Sequence, residues 1–594
     1  MCGIIGYNGK RDAIPIVIDG LKNLEYRGYD SSGIAYFKDN TIKIIKEKGR
    51  IASLENILES DVTNICIGHT RWATHGKPSR ENSHPHMVGD VVVVHNGIIE
   101  NYATLKEKLI QEGYSFKSET DTEVACCLID FLYQKNKNKL EVLKEIQDIL
   151  KGSYALLILF KDDKETMYAL REGSPLIVAT SEIGNFVASD IPAILEYTRD
   201  YYLLDQGEIA VIKSNSLKFY KDDKEIEKEL LTFKHDIKTA KKDGYSHYML
   251  KEIHEQPKVI HDYLDYYLDN FDLIPDISKY EKIHIVACGS AYHAGLIGSF
   301  LIEKYGNMEV SCYVASEYRY KKNFINKNTL VILVSQSGET ADTIACLRLA
   351  KELNATTLGI VNVVGSTIAR EADKVIYINA GCEIAVATTK AYTLQVLTIS
   401  LLAFKLGLTK YLINESEKEI ILKDYLKLPN EISKILEIDY TSYAKKIYKR
   451  QDIFFIGRLI DYYISLEGSL KLKEISYLHS ETYPAGELKH GTISLIENNT
   501  PVIAVITDNS IYEKTVSNIK EVKARGAYTL ILKRTSLEID KDSYDDLIEI
   551  NDLSDLSSSI LAIIPLQMLA FSVANLLGYD IDKPRNLAKS VTVE

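Results

Sequence analysis

The chain has 594 residues, 46% hydrophobic and 26% charged, with a formal net charge of −12 at pH 7. This length exceeds what one hydrophobic core supports and predicts several domains. An acidic chain without a basic block gives no electrostatic basis for binding nucleic acid or an anionic membrane. The eight cysteines form no Cys-X-X-Cys pair, which argues against a disulfide framework or a zinc ribbon and favours a reducing cytoplasm.

Up to about residue 235, short apolar runs alternate with turn residues. The predicted strands are residues 65–68, 91–94, 154–160, 176–180 and 208–212. Strands of this length, with few long helical patterns between them, predict a largely antiparallel α+β domain. No charged region followed by a long apolar stretch is present at the N-terminus, so we expect no secretory signal.

Cys2 is the first candidate for chemistry. Removal of Met1 would place a thiol and a free α-amine on one residue. An α-amine has a pKa of about 7.7–8.0 and a thiol about 8.5, so the amine can act as the base for its own nucleophile. A buried cysteine at the start of a strand is the simpler interpretation of Met-Cys alone.

Four polar clusters downstream suit attack of a thiolate on a carboxamide. They are residues 27–31, 68–76, 95–97 and 119–123. Asn96 and the N–H group of Gly97 could stabilise the resulting oxyanion. Arg71 could pair with a substrate carboxylate, and Asp121 could hold a substrate ammonium.

Each cluster also has a simpler interpretation. Asn-Gly at 96–97 is typical of a hairpin turn, and Asp121 could be an acid at a helix N-terminus. Four histidines could suggest zinc, namely His69, His75, His84 and His86. No cysteine or acidic residue lies at a ligand spacing near them, so we expect no metal.

Together, residues 2–4, 26–31, 68–76, 95–97 and 118–123 resemble the class II glutamine amidotransferases. The resemblance implies an N-terminal-nucleophile hydrolase with a four-layer α/β/β/α sandwich. It also implies hydrolysis of glutamine to glutamate and ammonia through a γ-glutamyl thioester on Cys2, with Asn96 and Gly97 as catalytic partners. The implied glutamine-binding residues are Arg27, Arg71, Trp72, His75 and Asp121.

A short polar linker is predicted at 236–246, followed by a helix that starts near Tyr248. From about residue 270, apolar strands alternate with helical periods, which predicts parallel sheets covered by helices on both faces. The predicted strands are 283–287, 329–334, 357–361, 374–378, 453–456 and 501–506. We therefore predict two related doubly wound lobes, at about 270–410 and 440–580. The apolar run at 560–577 is interrupted by polar residues and predicts a buried helix without a membrane span.

Residues 335–340, Ser-Gln-Ser-Gly-Glu-Thr, follow a predicted strand and open a helix. Hydroxyl groups, backbone N–H groups and the helix dipole together suit phosphate, although a serine-rich helix cap is the alternative. Residues 288–292 form a second strand–turn–helix junction, and residues 386–390 a third hydroxyl-bearing stretch. The turn at 507–510 in the second lobe lacks glycine and carries an acid, so we infer one phosphate site per chain.

Glu467, Lys471 and Glu474 share one face of a predicted helix, which a surface ladder of ion pairs explains equally well. With residues 486–491 and 582–594, however, these segments resemble the sugar isomerase (SIS) lobes of the isomerising glutamine–fructose-6-phosphate aminotransferases. The resemblance covers essentially the whole chain.

That resemblance implies transfer of the amide nitrogen of glutamine to fructose 6-phosphate, giving glucosamine 6-phosphate and glutamate without a cofactor. It assigns Lys589 to a Schiff base with the keto sugar, Glu474 to proton transfer between C1 and C2, and His490 to ring opening. Lys471 is the implied supporting cation. The implied contacts of the sugar phosphate are Ser290, Ser335, Gln336, Ser337, Thr340, Val386, Thr388 and Ala588. Ala291 and Thr388 depart from the residues usual in the family, and Ala291 has no hydroxyl to donate.

The implied domains are a glutaminase at 2–235, a linker at 236–246, lobes at 247–430 and 431–580, and a tail at 581–594 that closes over the sugar site. The resemblance further implies a homodimer, in which His490 reaches the neighbouring sugar site. Because free ammonia would be lost to water, we expect a shielded path between the two sites. Trp72, the single tryptophan, is a candidate gate, with core packing as the alternative.

Three other functions compete. A different glutamine-dependent synthase would explain the first domain but not residues 335–340 or Lys589. A phosphosugar-sensing protein usually carries a helix-turn-helix, and no basic recognition helix is evident. A phosphosugar isomerase or deglycase has no use for Cys2. Release of glutamate that is stimulated by fructose 6-phosphate would distinguish the implied aminotransferase function from these three.

Overall fold

A computed structural model describes residues 2–233 and 242–591 of the chain, and the predicted linker at 236–246 lies partly outside them. The described residues divide into two compact units. The first unit contains residues 2–233 together with 588–591, and the second contains residues 242–587.

The first unit is built from short strands and five helices. Its strands are β1 (Gly3–Gly9), β2 (Ser31–Lys38), β3 (Thr41–Lys48), β4 (Ile65–Arg71), β5 (His86–Val88), β6 (Val91–Ile99), β7 (Gly152–Phe160), β8 (Met167–Glu172), β9 (Ile177–Ser181), β10 (Gly184–Ala188), β11 (Asp200–Leu203), β12 (Ile209–Ile212), β13 (Leu217–Lys221), β14 (Lys224–Ile226) and β15 (Leu231–Thr232). Its helices are α1 (Ala13–Asn23), α2 (Ile51–Glu55), α3 (Tyr102–Gln111), α4 (Asp121–Lys135) and α5 (Lys139–Ile149).

These strands form two antiparallel sheets that pack face to face. The sheet orders are β15-β11-β9-β10-β1-β4-β2-β3 and β14-β13-β12-β8-β7-β6-β5. The first four residues of β6 are all valine because both faces of the strand are buried. Val92 and Val94 enter the core between the sheets, while Val91 and Val93 contact the helices outside. Helix α1 covers the other outer face. The predicted α/β/β/α sandwich is confirmed.

The second unit holds two parallel sheets and eleven helices among the described residues. Its strands are β16 (Lys282–Ala287), β17 (Glu309–Val314), β18 (Thr329–Ser335), β19 (Thr356–Val361), β20 (Lys374–Tyr377), β21 (Asp452–Gly457), β22 (His479–Pro484), β23 (Pro501–Ile506), β24 (Tyr528–Arg534) and β25 (Asp546–Ile550). Its helices are α6 (Tyr248–Asp269), α7 (Gly289–Gly306), α8 (Ala315–Tyr318), α9 (Ala341–Glu352), α10 (Thr367–Glu371), α11 (Lys390–Thr409), α12 (Glu415–Leu436), α13 (Tyr440–Ile447), α14 (Ile460–Ser476), α15 (Tyr512–Lys523) and α16 (Asp555–Leu577).

The two sheets have the same strand order, β17-β16-β18-β19-β20 and β22-β21-β23-β24-β25. In each, the first and third strands in sequence lie side by side, and the connections leave them in opposite directions. A crevice therefore opens at their carboxyl ends, which is where doubly wound proteins bind ligands. The two predicted doubly wound lobes are confirmed.

One continuous apolar core joins the two lobes, with contributions from α6, α7, α11, α14 and α16. Helices α11 and α16 are long and apolar enough to cross a membrane by length and composition alone, but most of each lies buried inside this unit. Such burial is typical of core helices, and α16 contains the apolar run that was predicted to be a buried helix.

Asn96 and Gly97 do not form a hairpin turn, so that interpretation is wrong. Both lie inside β6, where Asn96 pairs with Ala155 and Gly97 with Tyr154 of β7. The turn preference of Asn-Gly is overridden because the β6–β7 ladder continues to Ile99. Gly97 has a φ of 119°, and an added Cβ would collide with the carbonyl group of Ser153.

Candidate active sites

Cys2 immediately precedes β1, which lies between β10 and β4 near the middle of its sheet. Its Sγ accepts the backbone N–H of Trp72 at 3.2 Å. Its carbonyl oxygen accepts Nδ2 of Asn96 at 2.9 Å and Nε of Arg27 at 3.2 Å. Two side chains and one backbone N–H, from three separate segments, thus hold this residue at the end of the sheet.

The Cys2 thiol is held in its neutral form by its surroundings. Burial raises the pKa of Cys2, and the N–H of Trp72 and the guanidinium of Arg71 offset this only in part. A base is therefore needed to generate the thiolate, in agreement with a nucleophile that is activated at the moment of attack.

Cys2 lines a pocket of about 80 Å³ in the first unit. The other lining residues are Arg27, Trp72, Thr74, Asn96, Gly97, Ser174, Pro175, Ala588, Ser590 and Val591. The pocket unites five of the residues predicted for the glutaminase site. No sequence pattern singles out Ser174 and Pro175, because they follow β8 and are far along the chain from every polar cluster.

Arg71, at the end of β4, supports the adjoining loop. Its Nη2 donates to the carbonyl oxygens of His75 and Gly76, the latter at 3.0 Å. Its Nη1 is buried without a hydrogen-bond partner in the described part of the chain. A buried, unpartnered guanidinium nitrogen is suited to a carboxylate ligand.

Asp121 is the first residue of α4 and therefore does serve as an acid at a helix N-terminus. Its Oδ2 accepts the N–H of Ile99 at 2.9 Å, and its Oδ1 lies 4.0 Å from Nδ1 of His95. The His75 ring contacts Tyr102 edge-on at 5.0 Å. Neither Asp121 nor His75 lines the Cys2 pocket.

Histidines converge behind this site. The ring centroids of His69 and His84 lie 4.1 Å apart, and those of His84 and His86 lie 5.2 Å apart. Burial lowers the pKa of His69 to about 3 and lowers those of His84 and His86 well below the usual value. No group of three or more possible metal ligands was found among the described residues.

In the second unit, residues 335–340 connect β18 to α9 at the crevice of the first lobe. The Ser335 hydroxyl accepts the N–H of Gly338 at 3.0 Å and lies 3.0 Å from the Thr340 hydroxyl. Gly338 has a φ of 65°, and an added Cβ would collide with the Ser366 hydroxyl. The loop is thus a tight turn of N–H and hydroxyl groups, which suits an anion.

The other predicted sugar-phosphate residues lie in two further segments. Ser290 lies in the first turn of α7, which follows β16, the strand that neighbours β18. The N–H of Val386 donates to the carbonyl oxygen of Asp582 at 3.0 Å. The Thr388 hydroxyl donates to Oε2 of Glu383 at 2.7 Å, so its proton is already committed inside the protein.

Helix α14 carries the charged residues, and they are not on the surface. Glu467 and Lys471 are completely buried, so the surface-ladder interpretation is wrong. Nζ of Lys471 lies 2.5 Å from Oε2 of Glu474 and 3.5 Å from Oε1 of Glu467. Burial alone would lower the pKa of Lys471, but these carboxylates raise it above the usual value, so the side chain is an ammonium.

His293 of α7 completes this cluster, with its Nδ1 2.8 Å from Oε2 of Glu467. The sequence did not point to His293, because it lies 174 residues from its partner. His490 is exposed and is the last residue of the short helical segment Ala485–His490, which follows β22. Lys589 and Ala588 lie in the tail segment that belongs to the first unit.

The crevice of the second lobe is filled by an internal carboxylate. Both oxygens of Asp461 lie 3.0 Å from the N–H of Thr507, and Oδ2 also accepts the N–H of Asp508 at 3.3 Å. Asp461 is buried at the start of α14. This contact supports the inference of one phosphate site per chain.

Comparison with known sequences and structures identifies both parts of the chain. A glutamine amidotransferase domain matches residues 69–196, and SIS domains match residues 276–405 and 446–573. The C-terminal domain of glucosamine-fructose-6-phosphate aminotransferase from Francisella tularensis is 35% identical. It covers 58% of this chain and 99% of its own, with a TM-score of 0.55.

Full-length relatives are closer still. The chain is 49% identical to glutamine–fructose-6-phosphate aminotransferase (isomerizing) of Caldanaerobacter subterraneus subsp. tengcongensis and 48% identical to that of Clostridium acetobutylicum. Both alignments cover 100% of each sequence. The chain therefore belongs to the isomerizing glutamine–fructose-6-phosphate aminotransferase family.

Proposed function

We propose that this protein transfers the amide nitrogen of glutamine to fructose 6-phosphate and isomerises the product to glucosamine 6-phosphate. One observation carries the proposal: the same chain holds a pocket lined by Cys2 and a doubly wound unit. In that unit, the loop at 335–340 suits an anion and helix α14 carries the buried Glu467 and Lys471. Family membership over the whole length supports it.

In the glutaminase reaction, Sγ of Cys2 attacks the carboxamide carbon of glutamine. Once Met1 is removed, the α-amine of Cys2 takes the thiol proton and passes it to the leaving nitrogen, so that ammonia departs and a thioester remains. Water then hydrolyses the thioester to glutamate. Nδ2 of Asn96 and the N–H of Gly97 stabilise the oxyanion of each step.

The substrate's charged ends need fixed partners. Arg71 supplies an unpartnered Nη1 to the α-carboxylate, and Asp121 pairs with the α-ammonium. Arg27, Trp72 and His75 complete the glutamine site, Arg27 from the lining of the pocket and His75 through the loop that Arg71 holds.

In the sugar reaction, His490 assists opening of the ring and Lys589 condenses with the C2 ketone, releasing water. Ammonia displaces Lys589, and Glu474 carries a proton from C1 to C2 to give the amino aldose. Lys471, whose Nζ lies 2.5 Å from Oε2 of Glu474, holds that carboxyl group in position for the transfer. Overall, the water consumed by glutamine hydrolysis equals the water released at C2.

The phosphate group binds at the first lobe, through Ser335, Gln336, Ser337 and Thr340. Ser290, Val386, Thr388 and Ala588 contact the sugar. We further propose a homodimer in the cytoplasm, since none of the eight cysteines forms a disulfide and His490 is exposed where a second subunit could use it.

The test measures glutamate and hexosamine phosphate together in the same reaction. We expect fructose 6-phosphate to stimulate glutamate release and an amino sugar phosphate to form in equal amount. Cys2→Ala should abolish both products from glutamine, whereas Glu474→Gln should abolish only the amino sugar.

Cys312→Ala, which changes another partly buried free thiol, serves as the matched control and should retain both products. Isomerised sugar phosphate without incorporated nitrogen would contradict the proposal and favour a phosphosugar isomerase. Full activity in protein that retains Met1 would contradict the role given to the α-amine.

A further inference from the structure

His69 lies inside β4, completely buried, and faces the side chain of Asn96 from the adjoining sheet. Its Nε2 is 2.8 Å from the carbonyl oxygen of His95 and 3.1 Å from Oδ1 of Asn96. None of the roles proposed above uses this histidine, although it contacts a residue of the Cys2 pocket directly.

The contacts determine which ring nitrogen carries the proton. The carbonyl oxygen of His95 can only accept a hydrogen bond, so Nε2 must be the donor. Nδ1 is buried and has no hydrogen-bond partner among the residues described, so a proton there would be unsatisfied. His69 is therefore a neutral imidazole protonated at Nε2, and burial lowers its pKa to about 3, which keeps it so at any working pH.

The protonated Nε2 in turn determines the orientation of the Asn96 amide. With Oδ1 toward His69, the amide nitrogen points to Cys2 and donates to its carbonyl oxygen at 2.9 Å. The flipped amide would place its NH₂ group against the N–H of His69 and its oxygen against the carbonyl oxygen of Cys2. Both contacts would be repulsive, so a single orientation remains.

We propose that His69 is a positioning residue for glutamine hydrolysis, which holds the amide of Asn96 with its NH₂ group toward Cys2. The inference rests on the proposed roles of Cys2 and Asn96. Loss of one oxyanion donor typically lowers kcat by about 10² to 10³. Loss of the orienting contact leaves the donor present but free to rotate, so we expect a decrease of about 10 to 10² in kcat with little change in KM.

Two substitutions separate the two ring nitrogens. The amide nitrogen of Gln can occupy the position of Nε2, whereas that of Asn reaches only the position of Nδ1. We expect His69→Asn to show the full decrease in kcat and His69→Gln to recover most of it. Combining His69→Asn with Asn96→Ala should give no further loss beyond Asn96→Ala alone, because both changes remove the same donor.

Alkylation of Cys2 by iodoacetamide is the control for folding. This displacement forms no oxyanion, so its rate should be the same in His69→Asn and the parent protein. A parallel fall in alkylation and kcat, or equal losses in His69→Asn and His69→Gln, would show a merely structural role and overturn the inference. Retention of glutaminase activity by Cys2→Ala or Asn96→Ala would instead refute the proposed function on which it rests.

Discussion

The two lobes of the second unit share one topology but differ in what they place at the crevice. In the first lobe, the loop after β18 is held by its own groups: the N–H of Gly338 donates to the Ser335 hydroxyl, which lies 3.0 Å from the Thr340 hydroxyl. In the second, Asp461 accepts the N–H groups of Thr507 and Asp508 after β23. A carboxylate of the protein itself occupies the position that an external anion would take. The two lobes thus share one strand order, but a carboxylate of the chain closes the second crevice, whereas hydroxyl groups border the first, which we call the open crevice.

The helices that follow the first strand of each lobe, α7 and α14, also carry different side chains. Helix α7 of the first lobe presents the small Ser290 and the imidazole of His293. Helix α14 of the second lobe presents Lys471 between two carboxylates, the buried Glu467 and the partly exposed Glu474. The first lobe thus supplies the hydroxyl-rich loop at 335–340, and the second supplies the charged residues of α14. His293 and Glu467 join the two helices directly.

The largest effect should come from Lys471→Met, which removes the cation of the buried cluster. Glu474 would lose its ammonium partner and Glu467 would keep only His293, and loss of one member of a buried pair costs about 3–5 kcal/mol. We expect formation of amino sugar phosphate to be abolished and thermal unfolding to occur at a lower temperature, while glutamine hydrolysis continues. Lys473→Met, on the exposed side of α14, should change neither measurement. Amino sugar formation by Lys471→Met would show that the sugar reaction does not need the cation of α14.

A smaller effect is expected from Gly338→Ala, which alters the open crevice alone. Alanine is strained at a φ of 65°, and its Cβ collides with Ser366, so the loop must shift. We expect the KM for fructose 6-phosphate to rise at least about tenfold, since the shift would displace the N–H and hydroxyl groups proposed to bind the phosphate. Gly578→Ala is the matched control, with a φ of 72° but no atom within 4 Å of the added Cβ. Equal KM values in the two variants would indicate that the loop does not bind the sugar.

The smallest effect concerns the closed crevice and pH. Burial raises the pKa of Asp461 to about 7, which the donors of Thr507 and Asp508 offset only in part. Because this value exceeds the unfolded-state pKa of about 3.9, the protonated carboxyl favours folding. Its contribution, on the order of 4 kcal/mol at most, is complete below about pH 4 and is lost as the pH rises through 7.

Asp461→Asn cannot ionise, so it should lose less stability than the parent protein between pH 5 and pH 8. Thermal unfolding midpoints at the two pH values measure the difference. Asp542→Asn, an exposed substitution in the same lobe, should follow the parent. Identical pH dependence in Asp461→Asn would show that the Asp461 carboxyl does not titrate in this range.

The sequence was sufficient where a pattern is local. Strand β23 was predicted at residues 501–506 and is found there, because a continuous apolar run between turn residues has one good interpretation in an α/β protein. The polar clusters around Cys2 are equally local, and two of the four, at 68–76 and 95–97, follow such an apolar run. Five of their residues line one pocket.

Contacts between distant residues could not be predicted. The spacing of Glu467 and Lys471 is the same on a surface helix and on a buried one, and only packing against α7 and α16 decides between them. The contact of His69 with Asn96 depends on two sheets meeting face to face. Asp461 lies 46 residues from Thr507, and no periodicity links them.

Helix α16 has a consequence for biosynthesis. It packs against α11, α12, α13 and α14, and these belong to a core that extends from Met249 to Ile581. On the ribosome, the nascent second unit must therefore wait for nearly its entire length before that core can close. Until then the apolar faces of both lobes stay uncovered, so this half of the chain is the part that chaperones would need to shelter during translation.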